Sequence, residues 1–132
     1  MASNALYIML CSGEHEKVQM AAMMASVGAV SERPVEVFVS MNAILAFAKD
    51  MPAEKRYQGG AFSALLKDKH APDAMTLFRQ GKELGDLKLW ACSMALDVRG
   101  WEIGDLVDGL FDGPLGLTKF LSDAETGQFI TL

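Results

Sequence analysis

Two cysteines are the residues of this chain best suited to do chemistry. Cys11 ends a continuous apolar run, Ala5–Cys11 (ALYIMLC), and Cys92 stands where a second run, Leu87–Ala91 (LKLWA), stops. Each run predicts a strand, and each cysteine stands at its end, at the head of a helix. A thiol at the head of a helix faces unpaired N–H groups and the positive end of the dipole, which lowers its pKa. The thiolate is the species that attacks sulfur or binds metal. Cys92, directly ahead of the short helix predicted over Ser93–Arg99, has the better setting for a nucleophile. Free cysteine is also among the most buried residue types, so a packed, inert thiol stays open as the other reading of both positions.

Around the thiols, Ser93 can lend its N–H to a Cys92 thiolate, while Ser12 and Gly13 form the loop after Cys11. His15, four residues past Cys11, could act on that thiol as base or hydrogen-bond donor, although its place in a first helical turn predicts an exposed side chain. Lys55, Arg56, Lys67, Lys69 and His70 could steer an anion or an acidic partner, or simply form a solvated cluster. Trp90 and Trp101 flank Cys92 and are expected to pack against the core.

Several sharper motifs are absent. Cys92 and Arg99 have six residues between them and no glycine, too long for a phosphatase phosphate loop. The loop CSGEHE lacks both GxxxxGK[ST] and GxGxxG, and its acids would repel phosphate. That counts against a flavodoxin-like nucleotide binder. Two cysteines and two histidines show no C-x₂-C or H-x₃-H spacing, so no metal site is expected.

The elements that must position these residues follow from periodicity. A helix is predicted over His15–Val30, with Glu14 and Glu16 at its start, and it is apolar nearly all round: Val18, Met20, Met23, Met24, Val27. Such a helix is either a core helix or a subunit interface. Glu32-Arg33-Pro34 breaks it, Val35–Ser40 (VEVFVS) predicts a strand, and Met41–Lys49 a short helix stopped by Pro52. Residues 51–71 read as a long surface connection with one helical turn at Ala64-Leu65-Leu66. Asp73 caps a further helix with Met75, Leu77 and Phe78 turned inward, ending near Gly81 or Gly85. Gly100 closes the helix after Cys92; Gly113-Pro114 opens a last helix, and Gln128–Leu132 is a final strand. Strands alternating with helices imply a three-layer α/β/α sandwich around a mostly parallel, four- to five-stranded sheet. In such sheets ligands bind beyond the carboxyl ends of the strands, where both cysteines fall.

Composition agrees with one globular domain spanning 1–132: 51% of residues are hydrophobic and 22% charged. A net charge of −5 argues against binding nucleic-acid phosphate. The acids concentrate between Asp97 and Glu125, seven against two bases. The N-terminus lacks a basic region before its apolar run, and the apolar stretch Val18–Val30 is too short to span a membrane. A cytoplasmic protein is expected.

The block LKLWACSMALDVRGW, followed by GDLVDG and GPLGLTKFLSDAETGQFITL, resembles the DsrE/DsrF-like proteins. The strand, polar loop, long apolar helix and VEVFVS strand at the start fit the same pattern. The resemblance implies sulfur trafficking: a persulfide or sulfane-sulfur adduct on the family cysteine that Cys92 matches, without an organic cofactor. It also implies trimers or hexamers, small TusA-like carriers as acceptors and rhodanese-like donors. Cys11 matches no required family position. It is open whether Cys11 relays sulfur, forms a disulfide with Cys92, or only packs. The rival expectation is a non-catalytic oligomeric binding subunit.

Overall fold

A computed structural model describes residues 4–132 of the chain. Five parallel strands form one sheet: β1 (Leu6–Leu10), β2 (Val35–Val39), β3 (Leu87–Cys92), β4 (Gly113–Leu115) and β5 (Gln128–Thr131), in the order β4-β3-β2-β1-β5. Six helices connect them: α1 (His15–Val30), α2 (Ala53–Arg56), α3 (Ala61–Asp68), α4 (Ala74–Leu84), α5 (Ser93–Arg99) and α6 (Leu117–Ala124). A 3-10 stretch, Met41–Phe47, stands in place of the helix expected over Met41–Lys49. The architecture is the expected three-layer sandwich, with α1 and α4 on one face of the sheet and α6 on the other.

β1 and β2 are buried on both faces, which is why their sequences are continuous apolar runs rather than alternating ones. Phe120 of α6 is fully buried, stacked on Phe38 at 5.0 Å and edge-on to Tyr7 at 5.8 Å. That identifies Tyr7 and Phe38 as facing α6, while Leu6 and Val35 face Gly28 of α1.

α1 packs through a stripe of small residues, not through its methionines. Ala21, Ala22, Ala25 and Ala29 are buried, whereas Met20, Met23, Val27 and Val30 are exposed. Glycines carry the close approach to α4: a Cβ on Gly85 would lie 2.2 Å from the Ala29 carbonyl oxygen. The inward turn of Met75 and Phe78 and the Asp73 cap, which accepts from the Thr76 N–H, are as expected.

Two expectations are corrected. Gly113-Pro114 does not open a helix: it forms the edge strand β4, where proline's missing N–H costs no ladder bond, and the helix starts after Gly116. Residues 51–71 carry two helices and not one helical turn: the turn expected at Ala64-Leu65-Leu66 lies within the longer α3, and α2 was not expected. Neither helix carries a buried apolar stripe, Ser63 being the single buried residue of the pair, with Phe62 and Leu65 of α3 exposed. No helix among the described residues is long and apolar enough to cross a membrane.

Candidate functional site

The two thiols sit at the carboxyl edge of adjacent parts of the sheet. Cys92 is the last residue of β3 and is 4% exposed; Cys11 follows β1 directly and is more open. The strand register brings a third residue between them. Phe38 pairs with both Met9 and Trp90, and Val39 with both Leu10 and Ala91. One step further along, Ser40 stands between Cys11 and Cys92. The Ser40 N–H donates to the Leu10 carbonyl at 2.9 Å and its backbone is extended (φ −140°), so the ladder and its alternation of faces continue to this point.

Side chains two apart share a face, which puts Cys92 with Trp90, Ser40 with Phe38 and Cys11 with Met9, all on the α6 side of the sheet. Ser40 is itself 4% exposed, and its hydroxyl bonds no described residue, although its oxygen is not one of the fully buried polar atoms left without a partner. Burial pushes the Cys11 thiol pKa up, and the neighbouring Cys92 adds to the shift. Sequence reasoning did not single out Ser40, because its place between the thiols comes from the strands beside it and not from its neighbours along the chain.

The remaining expected residues divide. Ser12 and Gly13 line a cleft of about 660 Å³ together with Asn42, Leu45, Lys55, Arg56, Gln58, Arg99 and Trp101, so the loop after Cys11 meets the 51–59 segment there. Gly13 is needed in that loop: a Cβ would lie 2.8 Å from the Asn42 carbonyl oxygen. Ser93 is half-buried at the head of α5. Trp101 lies under the Arg99 guanidinium at 4.6 Å and half-faces the cleft, rather than being wholly packed as expected. The Trp90 ring N–H donates to Glu36 at 2.8 Å.

His15 is corrected outright. It is 4% exposed, its Nδ1 is 2.7 Å from the Ser63 hydroxyl, and its ring stacks on Tyr57 at 4.5 Å. Tyr57 in turn donates to Asp73 at 2.7 Å and accepts from the Met75 N–H. The ring is committed to this cluster on the α1 side of the sheet and is not placed to serve Cys11. Burial and the Lys67 ammonium hold its pKa below the ordinary histidine value, against a weaker pull from Asp73. The Tyr57 hydroxyl is pushed well above its usual range, by burial first and then by Asp73.

The basic cluster is also partly spoken for. Arg56 donates to the carbonyls of Ala46, Ala48 and Met51, and Lys67 to those of Glu54 and Tyr57. These two cations hold the 51–68 segment in shape, while Lys55, Lys69 and His70 remain exposed.

A buried thiol and a more open thiol thus stand at the carboxyl edge of an all-parallel sheet in a small α/β/α protein. The same fold is found in MTH1491 of Methanobacterium thermoautotrophicum, a protein of unknown function (14% identity, 98% of this chain, all of that one, TM-score 0.66). It is found again in the ychN protein of E. coli (12% identity, 98% of this chain, 99% of that one, TM-score 0.65). No family model and no curated protein sequence matches the chain.

Proposed function

We propose that this protein is a sulfur carrier or sulfurtransferase that holds sulfane sulfur on Cys92 and passes it to a partner thiol. The observation that carries the reading is a cysteine at the junction of β3 and α5, within the block that resembles the DsrE/DsrF-like proteins. The fold, a DsrE-like one shared with MTH1491 and the ychN protein, supports it. In this reading the Cys92 thiolate takes up a sulfane sulfur, and an acceptor thiolate later attacks the outer sulfur. The Ser93 N–H helps to hold the charge. The acceptor and donor are TusA-like and rhodanese-like proteins in the cytoplasm, docking at the cleft whose wall the 51–59 segment supplies.

The test is intact-protein mass spectrometry after incubation with thiosulfate, tetrathionate or polysulfide, followed by desalting. Wild type should retain a sulfur-sized or thiosulfonate-sized adduct that maps to Cys92, and Cys92→Ser should retain none. Equal retention by Cys92→Ser sinks the proposal.

A second reading, an oligomeric binding subunit without sulfur chemistry, is favoured by the exposed stripe on α1. Met20, Met23, Val27 and Val30 line up there, with Phe62 of α3 beside Met20 and Met23. Homo-oligomerisation through this stripe, as a trimer or hexamer, is compatible with either reading. A Cys92 that resists alkylation and takes up no sulfur until denatured would favour the second.

A further inference from the structure

Three cations, Lys55, Arg56 and Arg99, line the cleft of about 660 Å³ against a single carboxylate, Glu14. None of the three pairs with a carboxylate among the described residues, whose ion pairs are Lys49–Asp108, Lys82–Asp112 and Lys119–Asp123. The chain has 17 acids against 12 lysines and arginines, yet these cations share one cleft and are left without a counter-charge of their own.

Two of them are also held in place. Arg56 gives three of the five N–H donors of its guanidinium to the carbonyls of Ala46, Ala48 and Met51, at 2.7 to 2.9 Å. Those partners are neutral, so they fix the group and leave its charge unbalanced. The Arg99 guanidinium lies 4.6 Å from the Trp101 ring centroid, a contact that orients it without neutralising it. The cleft has an apolar side as well: Leu45 is 39% exposed there, and Met51 and Trp101 are half-buried. Apolar walls with a few placed polar groups, in a volume between about 300 and 1,000 Å³, are the make-up of a small-molecule site. The lining follows β1 (Ser12, Gly13), β2 (Asn42, Leu45) and β3 (Arg99, Trp101), at the end of a parallel sheet where ligands bind.

We propose that this cleft binds a small organic dianion, a phosphate monoester on an apolar body. Three cations against one carboxylate leave an excess of two positive charges, which a dianion balances. Arg56, Arg99 and Lys55 take the phosphate, Leu45 and Met51 take the body, and Trp101 positions Arg99. Recognition by side-chain cations needs no glycine-rich phosphate loop. Of the two glutamates in CSGEHE, Glu14 lines the cleft, whereas Glu16 lies with Met20 and Phe62 on the α1 side. Neither cysteine lines the cleft, and the inference does not depend on sulfur chemistry at Cys92.

The test is a ¹H–¹⁵N NMR titration of the full-length protein with phenyl phosphate at low salt, well above the second phosphate pKa of about 6. Saturable shifts should appear at the Trp101 ring N–H and at the amides of Gly13, Gly59 and Arg99. Benzenesulfonate (the same shape with one charge) and inorganic phosphate (the head without the body) should each bind several-fold more weakly. Arg99→Gln should weaken phenyl phosphate about tenfold, the loss of a charge-assisted bond. Lys55→Gln, at an exposed cation, should weaken it about threefold. Lys69→Gln, an exposed cation outside the cleft, should bind as wild type does, and all three variants should keep the wild-type spectrum away from the site. No saturable shift at the cleft, or equal losses in Arg99→Gln and Lys69→Gln, would overturn the site. Benzenesulfonate binding as tightly as phenyl phosphate would overturn the assignment to a dianion, and inorganic phosphate doing so would overturn the role of the apolar wall. Sulfur loading of Cys92 is read separately, so the carrier reading stands or falls on its own experiment.

Discussion

Ser40 and Ser63 are equally buried, each 4% exposed, and they sit in clusters of opposite character. Ser63, on α3, bonds His15, whose ring stacks on Tyr57, which in turn bonds Asp73 and the start of α4. Every polar group named in that chain has a partner. Ser40 bonds nothing through its hydroxyl and stands between two thiols. A buried polar network that is fully satisfied rigidifies a fold, and here it fastens the 51–68 segment to α1 and α4. The contrast runs against residue type, since the histidine belongs to the bonded cluster and a serine stands at the edge with the thiols.

The sharpest way to break this contrast is at His15. His15→Ala removes the stacking on Tyr57 and strands the Ser63 hydroxyl, so it should lower unfolding stability by about 2–4 kcal/mol. Denaturant titration reads this directly, and sulfur loading of the folded fraction should be unchanged. A loss of loading without a loss of stability would move His15 into the reactive group. Tyr57→Phe should cost about 1–3 kcal/mol by depriving Asp73 of a donor and the Met75 N–H of an acceptor.

The same cluster predicts a pH dependence. The folded state holds the His15 pKa below its unfolded value of about 6.5, so the fold favours the neutral ring. Between the two values the unfolded chain binds more protons, and stability therefore rises with pH. The His15 contribution is complete above about pH 6.5 and is lost as pH falls from there through the folded pKa. Unfolding midpoints measured across that window should slope in wild type and flatten in His15→Gln. An unchanged slope would assign the dependence to another group.

The strands were legible because parallel strands buried on both faces leave continuous apolar runs, as in ALYIMLC and VEVFVS, and so the edge carrying both thiols was legible too. His15 was not. Its partners lie 42 and 48 residues downstream, in a segment too polar to announce a packed role. Local pattern gave it a solvent-facing first turn, and long-range packing overrode that. Gly113-Pro114 carried a genuine helix-start signal, but an edge strand tolerates the same dipeptide. The methionines of α1 drew attention to the wrong face, because alanine and glycine, which leave little hydrophobic signal, make the close contact with α4. Ser40 could be placed at a strand end from sequence, yet only the register of three strands shows what stands on either side of it.

The smallest expected effect on stability is the most discriminating. Ser63→Ala leaves His15 Nδ1 buried without its hydrogen-bond partner and should cost about 1–2 kcal/mol. Ser40→Ala removes a hydroxyl that bonds no described residue and is not a buried orphan, so no hydrogen bond within the protein is lost. Its stability should stay within about 0.5 kcal/mol of wild type, or rise slightly. The two substitutions are chemically identical and equally buried, so any difference between them measures hydrogen bonding and not the loss of an oxygen's volume. Equal costs for both would mean that Ser40 has a bonded, structural role.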